Sequence, residues 1–179
     1  MPDKLQLQLF QCIIRIEVPK NHILLRPGEI CNYYYYIEKG ILSCHQPLDN
    51  KEYSGWLMFA GDIATSIDSY NNQVPSKETI RAVTDCVLYL LSWQHANDFA
   101  REYEAFRIIQ LWFTNYYYRR SDENNVQKNR PPEKYFEYLK ESYGENFDDI
   151  PRSLLAAHMG ISEASLYDII KKSKPDRRA

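Results

Sequence analysis

The stretch RSLLAAHMGISEASLYDIIK, residues 152–171, has the pattern of two short helices joined by a tight turn. A helix-turn-helix needs a small residue inside its first helix and a glycine in the turn, where φ is positive. Ala156 supplies the small residue, Gly160 supplies the turn, and Ser162 is a suitable N-cap for the second helix. The positions that such a unit buries are all apolar: Leu155, Met159, Ile161, Leu166 and Ile169. The stretch therefore predicts a helix-turn-helix, although any tight αα-hairpin shares part of this pattern.

Positive charge collects in the same part of the chain, although the formal net charge is only −2. Residues 1–100 carry 8 basic and 11 acidic side chains, whereas residues 150–179 carry 6 basic and 3 acidic ones. The six basic residues are Arg152, Lys171, Lys172, Lys174, Arg177 and Arg178. Contacts to a phosphate backbone would require a positive tip of this kind. A solvated helix end explains the Lys171-Lys172 pair equally well.

Upstream of the helix-turn-helix, the pattern predicts a long amphipathic helix from Glu104 to about Arg120. One apolar stripe recurs at spacings of three, four and three, as in a heptad: Phe106, Ile109, Phe113 and Tyr116. A second face carries Ile108, Leu111 and Trp112. A helix that is apolar on two faces needs two partners, so we predict that the stripe joins the subunits of a homodimer. In the alternative, both faces pack within one chain.

The polar stretch RRSDENNVQKNRPP, residues 119–132, predicts a linker or a helix end, because it finishes in two prolines. A further helix is expected to open at Pro131-Pro132-Glu133 and to run to about Tyr143, with Gly144 ending it. Residues 12–92 instead alternate short apolar runs with turn residues every 8–12 positions, which is typical of a β-sandwich or barrel. The run Tyr33-Tyr34-Tyr35-Tyr36 reads as an ordinary strand, since aromatic residues favour strands.

Four motifs in the β-rich half form a recognisable set: LLRPGE at 24–29, YIEKG at 36–40, Gly61-Asp62, and Ile80-Arg81-Ala82 before the last strand. With the order β domain, long helix and terminal helix-turn-helix, the chain resembles the Crp/Fnr family of transcriptional regulators. Their sensor is a β-roll of the cyclic-nucleotide-binding type. The resemblance implies an α+β protein with three parts: an antiparallel, jelly-roll-like β-roll at 1–100, a dimerisation helix and linker at 101–130, and an all-helical helix-turn-helix domain at 131–179.

The resemblance also implies an effector pocket, at Thr65, Ser66, Ser76, Lys77 and Arg81. Nucleotide-binding members hold the ribose and the cyclic phosphate with a glycine-glutamate pair and an arginine. Here Thr65-Ser66 and Ser76-Lys77 stand at about those places. Without the arginine, a buried phosphate would lose its bidentate partner, and a lysine replaces it only as a point charge. We therefore expect that the domain does not bind cyclic AMP and that any effector is another, unknown small molecule.

By the same resemblance, the second helix of the helix-turn-helix would enter the major groove of double-stranded DNA. We expect Ser162, Glu163 and Ser165 to face base edges and Tyr167 and Asp168 to flank them. Phosphate contacts are expected from Arg152, Lys171 and Lys172. The two carboxylates would repel the backbone, and residues 131–179 hold 8 basic against 9 acidic side chains. The predicted function is a Crp/Fnr-type DNA-binding regulator; the alternative is a degenerate relative that acts as a protein-interaction module without specific DNA binding.

Other functional classes find little support in the sequence. The cysteines and histidines are widely scattered, so no metal, redox or cofactor site is expected. No nucleophile elbow or phosphate loop is present, which argues against an enzyme. No signal peptide or apolar run of about 20 residues is visible, so we expect a cytoplasmic protein without membrane contacts.

Overall fold

The computed structural model describes residues 3–48 and 51–173. The strands in these ranges are β1 (Ile14–Val18), β2 (Ile23–Leu25), β3 (Tyr33–Lys39), β4 (Leu42–Leu48), β5 (Lys51–Met58), β6 (Ile63–Ala64), β7 (Thr79–Ala82) and β8 (Cys86–Ser92). The helices are α1 (Asp3–Cys12), α2 (Ile67–Asn72), α3 (Trp93–Glu102), α4 (Glu104–Lys128), α5 (Pro132–Tyr143), α6 (Arg152–Met159) and α7 (Glu163–Ser173), with a 3₁₀ turn at Gly144–Asp149. Within these ranges, no helix has the length and apolarity that crossing a membrane would demand.

The strands form two antiparallel four-stranded sheets, in the orders β1-β8-β3-β6 and β2-β7-β4-β5. Side chains from both sheets meet in one apolar core, which includes Ile37 and Leu88 from the first sheet and Leu42 and Ile80 from the second. All four are at most 1% exposed. We call this the first core. The arrangement confirms the antiparallel, jelly-roll-like fold that the family resemblance implies.

Ser92 makes the transition from sheet to helix. Its hydroxyl accepts the backbone N–H of His95 at 3.2 Å and so caps α3. Tyr103, in an extended conformation, separates α3 from α4. Helix α4 then continues to Lys128, so most of the polar stretch 119–132 is helical, and of its two predicted roles the helix end is confirmed. Charged and amide side chains are compatible with a solvated helix, and only the prolines at 131 and 132 prevent its continuation.

Helices α5, α6 and α7 do not form a separate core. Ile41, Leu57, Phe59 and Val83 of the β domain share one buried cluster with them, which we call the second core. Its helical members include Tyr135, Phe136, Leu139, Leu155, Ala156, Leu166 and Ile169. Along β5 the side chains alternate, so that Met58 lies in the first core and Leu57 in the second. The expected boundary near residue 130 therefore does not separate two independent cores.

Candidate functional site

A cavity of about 430 Å³ lies between the β domain, α2 and α4. We call it the sensor cavity. Strands contribute Tyr34, Cys44, Gln46, Trp56 and Met58 to its lining, and α4 contributes Phe113, Thr114 and Tyr117. The segment between β6 and β7 supplies most of the remaining wall. Four of the five residues predicted for the effector pocket lie here: Thr65, Ser66, Ser76 and Lys77.

The hydroxyl groups of Thr65, Ser66 and Ser76 in this wall form hydrogen bonds within the protein. Ser66 and Ser76 are 2% and 4% exposed, and their Oγ atoms lie 3.1 Å apart. Ser76 Oγ also accepts the backbone N–H of Glu78 at 2.9 Å. Thr65 donates its hydroxyl to the backbone carbonyl of Tyr33 at 3.2 Å. These residues therefore shape the cavity wall, whereas the side chain of Lys77 is exposed.

Arg81, the fifth predicted pocket residue, lies elsewhere. Along β7, Ile80 and Ala82 point into the first core, so Arg81 points to the opposite face of the sheet. In the sheet, Arg81 of β7 lies opposite Ser43 of the neighbouring strand β4. Arg81 lines a different cavity, of about 440 Å³, beside the start of α6. Arg81 therefore does not line the sensor cavity with the other four residues, because the two-residue period of a strand places neighbouring side chains on opposite faces.

The predicted stripe on α4 does not face a single partner. Phe106 is 6% exposed and packs inside its own chain, with its ring 5.6 Å from that of Phe99. Phe113 is half-buried beside Tyr34, at a ring distance of 5.9 Å, and lines the sensor cavity. Ile109 and Tyr116 are 45% and 44% exposed. The most exposed apolar residues on the first turns of α4 belong to the other face: Ile108, Leu111 and Trp112. The stripe therefore combines two residues that pack within the chain and two that stay substantially exposed, and its role in a homodimer stays a prediction.

A polar cluster joins α4 to the turn between β5 and β6. Arg120 Nη1 donates to Asp62 Oδ1 at 2.6 Å, and these side chains are 26% and 13% exposed. The hydroxyl of Tyr117 accepts the backbone N–H of Ile63 at 2.9 Å and donates to Asp62 Oδ1 at 3.3 Å. Burial raises the pKa of Tyr117 to about 12, so this hydroxyl keeps its proton. Sequence reasoning recognised only the Gly61-Asp62 turn, since Tyr117 and Arg120 lie more than 50 residues from Asp62 along the chain.

The segment predicted as a helix-turn-helix folds into α6 and α7, joined at Gly160 with φ 71°. Ser162 Oγ accepts the backbone N–H of Ser165 at 3.1 Å and so caps α7. Leu155, Ala156, Leu166 and Ile169 are each at most 6% exposed. The residues predicted to meet DNA all lie on the exposed surface: Arg152, Ser162, Glu163, Ser165, Tyr167, Asp168, Lys171 and Lys172. Lys174, Arg177 and Arg178 lie outside the described residues.

His158 is a buried polar residue of α6 that the sequence did not single out. It is 1% exposed, and its Nε2 lies 3.3 Å from the hydroxyl of Tyr135 and 3.1 Å from that of Tyr143. The imidazole therefore links α6 to α5 and serves the packing of the second core. In residues 3–48 and 51–173, no group of three or more His, Cys, Asp or Glu side chains is arranged to hold a metal ion.

Comparison with known proteins agrees with this architecture. Residues 15–103 match the family described as the cyclic nucleotide-binding domain. No protein of curated function matches the chain by sequence. FixK2 from Bradyrhizobium japonicum superposes with a TM-score of 0.76 at 10% identity, over 89% of this chain and 83% of FixK2.

Two further solved structures give the same result. A protein described as a Crp/Fnr-family regulator from Eubacterium rectale has a TM-score of 0.75 at 13% identity, over 96% of this chain and 83% of its own. The c-di-GMP responsive global regulator CLP from Xanthomonas campestris has a TM-score of 0.71 at 15% identity, over 95% of this chain and 91% of CLP. Residues 15–103 thus form a domain of the cyclic-nucleotide-binding type, and the chain as a whole has the fold of the Crp/Fnr regulators.

Proposed function

We propose that the protein is a homodimeric transcription regulator that binds double-stranded DNA through α7. The observation that carries this proposal is the arrangement of α6 and α7 around Gly160. Leu166 and Ile169 anchor one side of α7 in the second core, while the first turn of α7 stays exposed. A helix supported on one side and open at its N-terminal turn has the form that enters a major groove.

The side chains on the exposed surface have the chemistry for such a contact. Glu163 can accept from cytosine N4, and Ser165 can reach a base or a phosphate. Arg152, Lys171 and Lys172 can neutralise phosphates. Glu163 and Asp168 oppose the backbone charge, so we expect modest affinity that depends strongly on salt.

Dimerisation is proposed through the outward face of α4. Ile108, Trp112 and Tyr116 follow each other at intervals of four residues and are 61%, 64% and 44% exposed. The rings of Trp112 and Tyr116 stack 5.4 Å apart, which gives this face a continuous aromatic surface. A set of exposed large apolar side chains on one helix is typical of a protein interface.

The sensor cavity is proposed to hold an effector other than cyclic AMP. Of the titratable side chains that line it among the described residues, Asp68 and Glu78 are carboxylates and Lys77 is the cation. Arg81 lies on the other face of β7 and lines the separate cavity beside α6. A cyclic phosphate in the sensor cavity would therefore meet two carboxylates and one exposed lysine, Lys77, and would not meet the guanidinium of Arg81.

Fluorescence anisotropy tests the DNA-binding proposal. Labelled duplexes from upstream of the protein's own gene are titrated at about 50 mM and about 200 mM salt, with an unrelated duplex as competitor. Lys171→Ala should weaken binding to every sequence and reduce the salt slope by about one. Ser165→Ala and Glu163→Ala should change the preference among sites more than the overall affinity. The matched control is Lys39→Ala, which removes an exposed lysine at the end of β3.

Two results would count against a regulator. If the wild type shows no salt-dependent binding to any duplex at the lower salt concentration, α7 does not bind DNA, and the protein-interaction alternative replaces this proposal. If Lys39→Ala weakens binding as much as Lys171→Ala, the contact is a general charge effect and does not involve α7.

A further inference from the structure

The sensor cavity combines acidic and aromatic walls. Asp68 Oδ1 accepts from Asn72 Nδ2 at 2.7 Å, and Glu78 Oε1 accepts from Gln46 Nε2 at 3.1 Å. Within the described part of the chain, neither carboxylate lies within 4.0 Å of a basic side chain. Both carboxylates are therefore held by neutral amides. Lys77 lines the same cavity, but its side chain is exposed and forms no ion pair with either carboxylate in the described residues.

The charge of Glu78 acts on the inside of the cavity. Cys44, which lines the cavity from β4, is 7% exposed. Burial raises the pKa of the Cys44 thiol, and the nearby carboxylate of Glu78 raises it further. A negative charge on Cys44 is thus disfavoured by the same field that an anionic ligand would meet. A cation at this position would be stabilised by that field.

Aromatic rings form the wall that α4 supplies. The ring of Phe113 lies 4.5 Å from that of Tyr117 and 5.9 Å from that of Tyr34. Trp56 lines the same cavity from β5. The faces of such rings attract organic cations, and the attraction grows when the cation is removed from water. Cages of carboxylates and aromatic rings are a usual way to bind ammonium groups.

We infer that the sensor cavity binds a small organic cation, an ammonium or amidinium group on an apolar or aromatic body. The cationic group faces Asp68 and Glu78, and the apolar body packs against Tyr34, Trp56, Phe113 and Tyr117. A volume of about 430 Å³ is within the usual range for small-molecule sites. This inference rests on the proposed role of the cavity as the effector site.

Calorimetry on the full chain without DNA tests the inference with ligands that share a phenyl ring and differ in charge. Three probes share a phenyl ring on a two-carbon chain: phenethylamine is a cation, 2-phenylethanol is neutral and phenylacetate is an anion at neutral pH. Cyclic AMP is the fourth ligand. We expect the amine to bind more tightly than the alcohol and the alcohol more tightly than the acid, with cyclic AMP weakest.

A charge-removing variant assigns the effect to the cavity. Glu78→Gln keeps the size of the side chain, so it should weaken amine binding roughly tenfold and leave 2-phenylethanol unchanged. Asp68→Asn should act in the same direction and replaces Glu78→Gln if that variant does not fold. The matched control is Asp98→Asn, an exposed carboxylate on α3 outside the cavity, which should change nothing.

Several results would overturn the inference: no amine binding at millimolar concentration, tighter binding of phenylacetate or cyclic AMP, or amine affinity that neither carboxylate variant changes. DNA binding by the same samples is measured separately by anisotropy. The ligand inference can thus fail while the regulator proposal stands, and a failure to bind DNA leaves the calorimetric result intact.

Discussion

Gly40 occupies the turn between β3 and β4. Its φ is 99°, a conformation that L side chains rarely adopt. A Cβ at this position would lie 2.6 Å from the backbone oxygen of Asp85 and 2.6 Å from Cys86 Sγ. The glycine of the YIEKG motif is therefore required twice, by its backbone conformation and by the close approach of the segment before β8.

Gly40→Ala should lower the free energy of unfolding by about 3 kcal/mol or more, because left-handed strain and steric overlap add. Urea unfolding followed by circular dichroism measures the change. Gly28→Ala is the control: its φ is 90°, but nothing lies within 4 Å of its Cβ position. Gly28→Ala should lower the free energy of unfolding by only about 1–2 kcal/mol. Equal losses would show that the overlap at Gly40 relaxes without cost.

At the scale of an element, α4 has an inward and an outward apolar face. The inward face packs Phe106, Phe113 and Tyr117 against the β domain. The outward face presents Ile108, Leu111 and Trp112 to solvent in the single chain. This division makes the outward face available for a second subunit.

Trp112→Glu should raise the dissociation constant of the dimer at least about 30-fold, since a central tryptophan often contributes about 2 kcal/mol or more to an interface. Analytical ultracentrifugation over a concentration series measures this constant. Tyr167→Glu is the control, because it adds the same charge at a similarly exposed aromatic residue, on α7. A wild type that is monomeric at micromolar concentration, or a variant that dimerises as the wild type does, would show that α4 is not the interface.

The ion pair between Asp62 and Arg120 fastens the second half of α4 to the β domain. Arg120→Met should reduce the free energy of unfolding by about 2 kcal/mol, because it leaves the partly buried carboxylate of Asp62 without its charged donor. Arg119→Met removes an exposed neighbouring arginine and should change it by less than about 0.5 kcal/mol. Thermal and urea unfolding of both variants distinguish the effect of losing the ion pair with Asp62 from the effect of losing any positive charge.

At the scale of the whole molecule, the second core joins the C-terminal helices to the β domain. Phe59 follows β5, and its ring lies 4.6 Å from that of Tyr143 at the end of α5. Ile41, Leu57 and Val83 complete the contribution of the β domain. Since these side chains would be exposed without the helices, the two parts should unfold together.

Leu139→Ala tests this coupling, because Leu139 is fully buried in α5. All three tryptophans, Trp56, Trp93 and Trp112, precede α5, so tryptophan fluorescence reports on the β domain and α4. Leu139→Ala should lower the free energy of unfolding by about 2–5 kcal/mol. The unfolding midpoints measured by fluorescence and by circular dichroism should shift together. Leu88→Ala, in the first core, should do the same. A shift of the dichroism midpoint alone would show two independent units.

The sequence by itself determined the features that depend on neighbours along the chain. The cap at Ser162, the proline start of α5, the turn at Gly160 and the strand-and-turn pattern of the β domain all lie where the residues predict them. Each follows from local sterics, from backbone hydrogen bonding at a helix end or from a short period.

Only the tertiary structure decided which side of each element faces inward. Phe106 and Ile108 are equally apolar, yet one is in the first core and the other is exposed. Arg81 lies outside the sensor cavity because the first core is on the other face of β7. Asp62 and Arg120 meet across 58 positions of the chain. These contacts depend on how sheets and helices pack against each other, so the pattern of neighbouring residues along the chain does not predict them.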